Sequence, residues 1–445
     1  MPQQPPITVL SADTLNSDAG PALPRFASLA TREGVEDSIR SGNATSDRVR
    51  TLLREPESIR IESGYGHTLR EVFQQPNVWA DTALRAVEYL REQFLPLLEA
   101  QAFRSIVFAG SGSSHYVGEL VAPSLAQHLG IPVSAVAAGD FLTHGRNALP
   151  HPEPSLVVSI ARSGNSPESL AAVRVLMREA PDCRFLHITC NGEGKLVSES
   201  LDNPRVHRLI LHPFSNDQSL VMTSSFTSLA LAGLSLGFAH APDAYLSQAE
   251  ALAASVSDGL PAIFDFAAGL PFAHCKRALY LGSGCQVGAA REAALKLTEM
   301  TAGRILSTTE TYLGLRHGPM AAIDEGTLIV CSVPPDPRPS RYAADLIREL
   351  QKKELGLAIV VAEPGAIPRI LERNNTEAPS ALSHGKALSE PFAAIANVVA
   401  GQAIGFFACR ERGLRPDAPS ESSVITRVVE PFPIYEDVDS TALFQ

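Results

Sequence analysis

Apolar residues along this chain fall into two alternating patterns. Short continuous apolar runs predict strands at 105–109, 132–137, 155–160, 185–189 and 208–211. Between them lie segments of helical periodicity, such as 116–129 and the segment that begins at Pro167. Strands that alternate with helices indicate a parallel sheet covered by helices on both faces. The pattern therefore predicts an α/β fold.

The second half of the chain repeats the first. Val107-Phe-Ala-Gly-Ser-Gly112 matches Leu279-Tyr-Leu-Gly-Ser-Gly284, and a helix at 288–298 and a strand at 327–333 follow the second copy. Internal repetition of this kind indicates two tandem domains of the same architecture. The length of 445 residues suits two or three domains.

The predicted domain boundaries follow from these patterns. Residues 1–65 are rich in Pro, Ser, Asp and Ala and predict a partly disordered extension with short helices in it. The first domain, with leading helices, spans 66–246, and there Thr68 and Glu71 have the spacing of a helix capping box. A linker at 247–273, a second domain at 274–412 and a surface tail at 413–445 complete the chain.

Composition narrows the class of protein. A net charge of −11 argues against a nucleic-acid-binding surface and against a cationic membrane-surface helix. The N-terminus has neither a basic nor an apolar signal region, and no run of about 18 apolar residues predicts a spanning helix. The six scattered cysteines form no C-x-x-C pair, so neither a metal site nor a disulfide framework is expected. A cytoplasmic protein with a small-molecule ligand is expected.

Two hydroxyl-rich turns are candidates for binding a phosphate group. In Gly110-Ser-Gly-Ser-Ser114 the glycines let the backbone approach an anion, and Ser113 and Ser114 add donors. Arg162, Ser163 and Ser166 follow the next predicted central strand, and both turns fall at the carboxyl edge of the sheet, where ligands bind. A tight turn that binds nothing explains a lone Gly-Ser-Gly equally well. The second copy has Cys285 after its glycines, which makes a phosphate role there doubtful.

The helix after the second turn contains candidate acid–base residues. Glu292, Lys296 and Glu299 recur at spacings of four and three residues and share one face. This face is either a solvated row of ion pairs or a carboxylate base tuned by a nearby ammonium. His317 lies in the constrained sequence Arg-His-Gly-Pro, and it is either a structural histidine or an acid–base group.

Taken together, these motifs resemble a protein with two SIS (sugar isomerase) domains. The combination of Ser-Gly-Ser-Ser, Ala-Arg-Ser-Gly-Asn-Ser, Glu-Ala-Ala-Leu-Lys-Leu-Thr-Glu and Arg-His-Gly-Pro carries the resemblance. His67-Thr-Leu-Arg-Glu-Val-Phe-Gln-Gln-Pro76, Asn216-Asp-Gln-Ser-Leu-Val-Met-Thr-Ser-Ser-Phe226 and the tail at 416–435 make it similar to the bacterial galactosamine-6-phosphate deaminase/isomerase family, often labelled tagatose-6-phosphate ketose/aldose isomerase. The resemblance covers about 65–435. It implies two flavodoxin-like three-layer sandwiches.

The resemblance also implies roles for individual residues. Ser113, Ser114, Arg162, Ser163 and Ser166 would hold the phosphate, and Thr223 and Ser224 would line the sugar. Glu299 would move a proton between C1 and C2, Lys296 would polarise the oxygen or nitrogen, and His317 would open the ring. In the related isomerase half of glucosamine-6-phosphate synthase the equivalent histidine comes from the neighbouring subunit, which implies a homodimer. No metal or organic cofactor is implied, because the C1 carbonyl itself acidifies the C2 proton.

Two departures from that related synthase bear on the reaction. The chain has no glutaminase domain, and its tail at 416–427 has no lysine to form an imine with a ketose. Deamination needs neither, because the substrate already carries the nitrogen. Plain aldose–ketose isomerisation, a deglycase reaction on fructosamine phosphates and a non-catalytic sugar-phosphate sensor remain alternatives. The choice of galactosamine over glucosamine comes from the resemblance alone.

Overall fold

Two five-stranded parallel sheets organise the protein. The computed structural model of the chain describes residues 22–151, 154–363, 380–383, 388–420 and 422–435. The first sheet has the order β2-β1-β3-β4-β5 and the second the order β10-β9-β8-β6-β7, and every strand pair in them is parallel. The strands are β1 Ser105–Gly110, β2 Val133–Ala137, β3 Ser155–Ala161, β4 Arg184–Thr189, β5 Val206–Ile210, β6 Arg277–Gly282, β7 Leu306–Thr311, β8 Thr327–Ser332, β9 Ala358–Glu363 and β10 Ser380–Ser383. The predicted α/β architecture with two tandem sheets is confirmed.

Sixteen α-helices are described, and most of them cover the sheets. They are α1 Ala22–Ser28, α2 Arg32–Arg40, α3 Asp47–Arg54, α4 Glu57–Glu62, α5 Gly66–Phe73, α6 Gln75–Tyr89, α7 Leu95–Glu99, α8 Ser113–Leu129, α9 Ala138–His144, α10 Pro167–Glu179, α11 Lys195–Ser198, α12 Ser224–Ser235, α13 Pro242–Ala268, α14 Gln286–Met300, α15 Pro337–Lys352 and α16 Glu390–Glu411. A short π-helical turn, Leu90–Phe94, joins α6 to α7.

The central strands are buried on both faces, as parallel sheets require. All residues of β1 and β3 are buried. On one face of the first sheet Val107 and Val157 pack with apolar residues of α9 and α10. On the other face Phe108 and Val158 join a large core, to which the second sheet contributes Tyr280. The two sheets therefore share one central helical layer.

A close helix crossing in that layer brings the two halves together. A Cβ atom on Gly288 of α14 would lie 2.4 Å from the backbone nitrogen of Leu120 in α8, so only glycine allows the approach. Because α8 begins at the first Gly-Ser-Gly turn, this crossing carries the acid–base face of α14 toward the hydroxyl-rich edge of the first sheet.

Residues 22–65 contain the short helices that were predicted within the N-terminal extension. They form α1 to α4, and Val35, Ile39, Val49 and Leu53 are almost completely buried in the shared core. Although the segment is polar on average, its apolar residues recur at helical spacing and pack on the helices behind the first sheet. Residues 1–21 lie outside the described part of the chain.

The predicted linker at 247–273 is mostly helical, since α13 occupies it up to Ala268 and packs on α6 and α16. Although the sequence predicts no spanning helix, α13 and α16 are both long and apolar enough to cross a membrane by length and composition. The apolar window of α16 is completely buried inside the fold, and that of α13 is 44% buried. The complete burial of α16 is typical of a core helix. The domain boundaries stay predictions.

Candidate active site

A cavity of about 710 Å³ opens at the carboxyl edge of the first sheet. The turn after β1, the turn after β3, one face of α14 and the C-terminal tail at 423–430 enclose it. Seven of the ten predicted site residues line it: Ser113, Ser114, Arg162, Ser163, Ser166, Lys296 and Glu299. The structure thus brings together residues that the sequence separates by nearly 200 positions.

Glycine shapes the turn after β1. A Cβ atom on Gly110 would meet the backbone of Ser114 at 2.5 Å, and Gly112 has a φ of +55°. This path places Ser113 and Ser114 in the first turn of α8, where the helix dipole favours an anion. The wall of the cavity at this end is therefore suited to a phosphate group.

The acid–base face of α14 is buried rather than solvated. Lys296 Nζ lies 2.5 Å from Glu299 Oε2, 3.4 Å from Glu292 Oε1 and 3.2 Å from Ser113 Oγ. The side chains of Lys296 and Glu292 are 1% and 0% exposed, whereas that of Glu299 is 25% exposed. The alternative of a solvated row of ion pairs is therefore wrong, and Glu299 is the carboxylate that faces the cavity.

Burial and charge set the protonation of this cluster. Burial raises the pKa of the Glu292 carboxyl to about 7; the ammonium of Lys296 opposes the increase and the charge of Glu299 adds to it. Burial lowers the pKa of Lys296, but Glu292 and Glu299 outweigh it and leave that pKa above its ordinary value. Lys296 is therefore a permanent ammonium at neutral pH, shared by two carboxyl groups.

Arg162 lines the cavity but is held mainly by backbone carbonyls. Its guanidinium donates to the oxygens of Ser219 at 3.3 Å, Leu220 at 3.0 Å and Arg427 at 2.8 Å. These hydrogen bonds use three of its five N–H donors. Arg162 therefore joins the wall of the cavity to the C-terminal tail.

The structure places Thr223 and Ser224, which were predicted to line the sugar, behind the cavity wall. Both are fully buried, and neither lines the cavity. Because α12 begins at Ser224, these residues turn into the core: the Thr223 N–H donates to Asp217 Oδ2 at 2.8 Å, and the Ser224 hydroxyl donates to Asp217 Oδ1 at 2.5 Å. From the same segment, Leu220 and Met222 line the cavity instead.

His317 does not meet the other predicted catalytic residues within one chain. It ends the 3₁₀ turn Gly314–His317, which follows the edge strand β7, and it is exposed to solvent. It does not line the cavity. A role for His317 at the cavity would therefore require a second copy of the chain.

The second Gly-Ser-Gly turn has the same shape as the first, but its end is occupied. Gly284 has a φ of +61°, and the N–H of Cys285 donates to Glu390 Oε1 at 2.8 Å. A Cβ atom on Gly284 would lie 2.2 Å from that oxygen. The second turn therefore holds a carboxylate of its own chain, where the first turn opens to the cavity.

Sequence reasoning missed two buried carboxyl groups behind the cavity wall, those of Glu71 and Asp217. Helix α5 begins at Gly66, so Thr68 lies inside it, and its hydroxyl donates to Asp417 Oδ1 at 2.8 Å. Glu71 accepts hydrogen bonds from the N–H groups of Gln218 and Ser219 instead of closing a capping box. Burial, reinforced by the charge of Asp217, raises the pKa of Glu71. No local sequence signal marks Glu71, because its hydrogen-bond partners lie about 150 positions away.

More than four fifths of the chain is similar to known proteins, although no protein-family profile matches it. A Streptomyces coelicolor protein provisionally named D-galactosamine-6-phosphate deaminase AgaS is 37% identical over 385 residues, which cover 84% of this chain and 97% of that one. The D-galactosamine-6-phosphate deaminase AgaS of Escherichia coli is 33% identical over 377 residues, 82% of this chain and 94% of that one. The crystal structure of tagatose-6-phosphate ketose/aldose isomerase from Escherichia coli superposes with a TM-score of 0.73 at 30% identity, covering 82% and 96% of the two chains.

Proposed function

Because the chain belongs to the family of D-galactosamine-6-phosphate deaminases named AgaS, we propose that it converts galactosamine 6-phosphate and water to tagatose 6-phosphate and ammonia. The product assignment draws on the similarity to the tagatose-6-phosphate isomerase structure. The reaction combines ring opening, proton transfer from C2 to C1 and hydrolysis of the resulting ketimine.

The geometry of α14 against the first sheet supports this proposal most strongly. Glu299 is the carboxylate on the cavity surface, and Lys296 Nζ lies between it and the hydroxyl-rich turn, 3.2 Å from Ser113 Oγ. An anionic ligand held at Ser113 and Ser114 would leave its distal carbons on the α14 side of the cavity. A carboxylate base and a fixed ammonium then lie where a sugar carbonyl would be enolised.

In the proposed mechanism Glu299 removes the C2 proton and returns it at C1. Lys296 stabilises negative charge that develops on the C1 oxygen as the enolamine forms, because an ammonium held by two carboxyl groups cannot move away from it. The protonated enolamine becomes a ketimine at C2. Water adds to that carbon, and ammonia leaves with the C2–N electron pair.

We propose that His317 opens the sugar ring from the neighbouring subunit of a homodimer. Its position on an exposed turn beyond an edge strand supports this, because an edge strand and the turn after it are available to a second chain. The cavity of one subunit would then receive the proton donor for ring opening from its neighbour.

Plain aldose–ketose isomerisation is the second candidate, since a structural relative is named a ketose/aldose isomerase. The two reactions share the base and differ in whether nitrogen leaves. Purified protein should be incubated in parallel with galactosamine 6-phosphate and glucosamine 6-phosphate, and ammonia measured through a coupled dehydrogenase. We expect ammonia from the galacto sugar at ten or more times the gluco rate. Interconversion of tagatose 6-phosphate and galactose 6-phosphate, with no ammonia from either amino sugar, would overturn the deaminase proposal.

A further inference from the structure

Two fully buried carboxylates lie directly behind the wall of the cavity and take no part in the proposed reaction. Glu71 on α5 is 2% exposed, and Asp217 in the loop before α12 is 1% exposed. Neither lines the cavity. Burial of a carboxyl group lowers the stability of the fold unless hydrogen bonds or opposite charges compensate for the lost water, so each of these groups should have such partners.

Glu71 fixes the backbone of the loop. Its Oε1 accepts from the N–H groups of Gln218 at 2.5 Å and Ser219 at 3.0 Å. Its Oε2 accepts from the Ser219 hydroxyl and, at 3.4 Å, from the Thr223 hydroxyl. One side chain of α5 therefore accepts hydrogen bonds from three residues of the loop, Gln218, Ser219 and Thr223.

Asp217 fixes the other end of the same loop. Its Oδ2 accepts from the N–H groups of Thr223 and Ser225, both at 2.8 Å, and its Oδ1 accepts from the Ser224 hydroxyl. These bonds tie the loop to the first turn of α12. The loop 216–223, as we call the segment between the two anchors, is consequently closed on itself by carboxylates.

The free carbonyls of this loop hold the arginine of the cavity wall. Arg162 donates to the oxygens of Ser219 and Leu220, and its third hydrogen bond reaches the oxygen of Arg427 in the tail. Arg427 in turn donates to the oxygen of Asp217 at 2.8 Å and to Asn216 Oδ1 at 2.6 Å. Two guanidinium groups and two carboxyl groups thus hold one loop.

We propose that Glu71 is a positioning residue, which fixes the loop 216–223 so that its carbonyls hold Arg162 against the phosphate end of the cavity. The inference rests on the proposed function to the extent that the ligand carries a phosphate. Glu71 touches no ligand itself and acts through Ser219 and Leu220. Glu71→Gln keeps one acceptor oxygen but puts an NH2 donor where the other oxygen accepts from the hydroxyls of Ser219 and Thr223, so the loop loses hydrogen bonds and Arg162 loses a fixed support.

The test measures phosphate affinity without turnover. The Kd of inorganic phosphate should be measured calorimetrically for wild type and Glu71→Gln, alongside kcat and KM for galactosamine 6-phosphate. We expect the Kd and the KM to rise ten-fold or more while kcat stays within about three-fold, because the reacting carbons and Glu299 are untouched. An unchanged phosphate Kd in a folded Glu71→Gln protein would overturn the proposal.

A double-mutant cycle separates positioning from a general loss of stability. In an Arg162→Met background Glu71→Gln should change the phosphate Kd less than two-fold, because its effect passes through Arg162. Additive losses would contradict the proposal. Glu36→Gln is the matched control, since Glu36 is a buried carboxylate paired with Arg60 away from the cavity, and only its melting temperature should fall.

Ser219→Ala provides a second variant if Glu71→Gln does not fold. It removes a hydroxyl donor to Glu71 but leaves the side chain of Glu71 in place, and it should weaken phosphate binding by two- to five-fold. No change would count against the proposal. Because these binding measurements need no turnover, a protein that binds phosphate as expected but releases no ammonia would sink the deaminase proposal alone.

Discussion

Replacing Glu292 with glutamine should make the protein more stable at neutral and alkaline pH. The carboxyl group of Glu292 is completely buried, and its nearest cationic atom is Lys296 Nζ at 3.4 Å. Lys296 keeps Glu299 at 2.5 Å when Glu292 is neutralised, so the ammonium retains a partner. Glutamine has the same shape and no charge to desolvate.

The expected magnitude follows from the pKa of Glu292, which burial raises from 4.5 to about 7. The folded-state pKa lies above the unfolded one, so the contribution to stability is complete below pH 4.5 and is lost as pH rises through 7. One proton per pH unit changes the free energy of unfolding by about 1.4 kcal/mol. Over this interval the wild-type protein loses about 3 kcal/mol that Glu292→Gln does not lose.

Urea unfolding at pH 5, 6, 7 and 8 measures this difference. The advantage of Glu292→Gln should be below about 1 kcal/mol at pH 5 and should approach about 3 kcal/mol at pH 8. Glu88→Gln, at an exposed site on α6, serves as the control and should show no trend. A Glu292→Gln protein that is less stable than wild type at pH 8, or a difference that does not change with pH, would refute the reasoning.

Two further outcomes follow from the site. Inactive Glu299→Gln and His317→Asn proteins, mixed under conditions that exchange subunits, should recover about a quarter of wild-type ammonia release, because half of the random dimers regain one of their two sites. No recovery after verified exchange would argue that His317 does not act in the site of the neighbouring subunit. Calorimetric titration with a phosphosugar should give one site per chain, because Glu390 occupies the second Gly-Ser-Gly turn; two equal sites would contradict that assignment.

The sequence was sufficient to predict the parts of the site that local rules control. Strand, glycine turn and helix follow one another within about ten residues, so the position of Ser113 and Ser114 at the sheet edge is a local property. The spacing of Lys296 and Glu299 placed them on one helical face, although it could not say whether that face was solvated. Burial of the face depends on the α8–α14 crossing at Gly288, which joins residues from different domains.

The direction of some side chains depends on tertiary contacts that the sequence does not mark. Thr223 follows Met222 directly, yet Met222 lines the cavity and the N–H of Thr223 donates to Asp217 in the core. The hydroxyl of Thr223 also lies 3.4 Å from Glu71 Oε2, about 150 residues earlier in the chain, and nothing in the local sequence marks this pair. The packing of residues 22–65 could not be predicted for a related reason: their helices are stabilised by apolar residues packed on distant elements, such as Val35 and Val49 in the shared core.

The central claim is that Glu299 is the base of an amino-sugar-phosphate deaminase. Its most direct test compares the rates at which Glu299→Gln and wild type release ammonia from galactosamine 6-phosphate. We expect at least a thousand-fold lower rate, with the Kd of the same sugar measured by calorimetry within about three-fold, because glutamine keeps the shape and cannot accept the C2 proton. Glu88→Gln should match wild type in both measurements. A Glu299→Gln protein that retains more than a tenth of the wild-type rate would contradict the account.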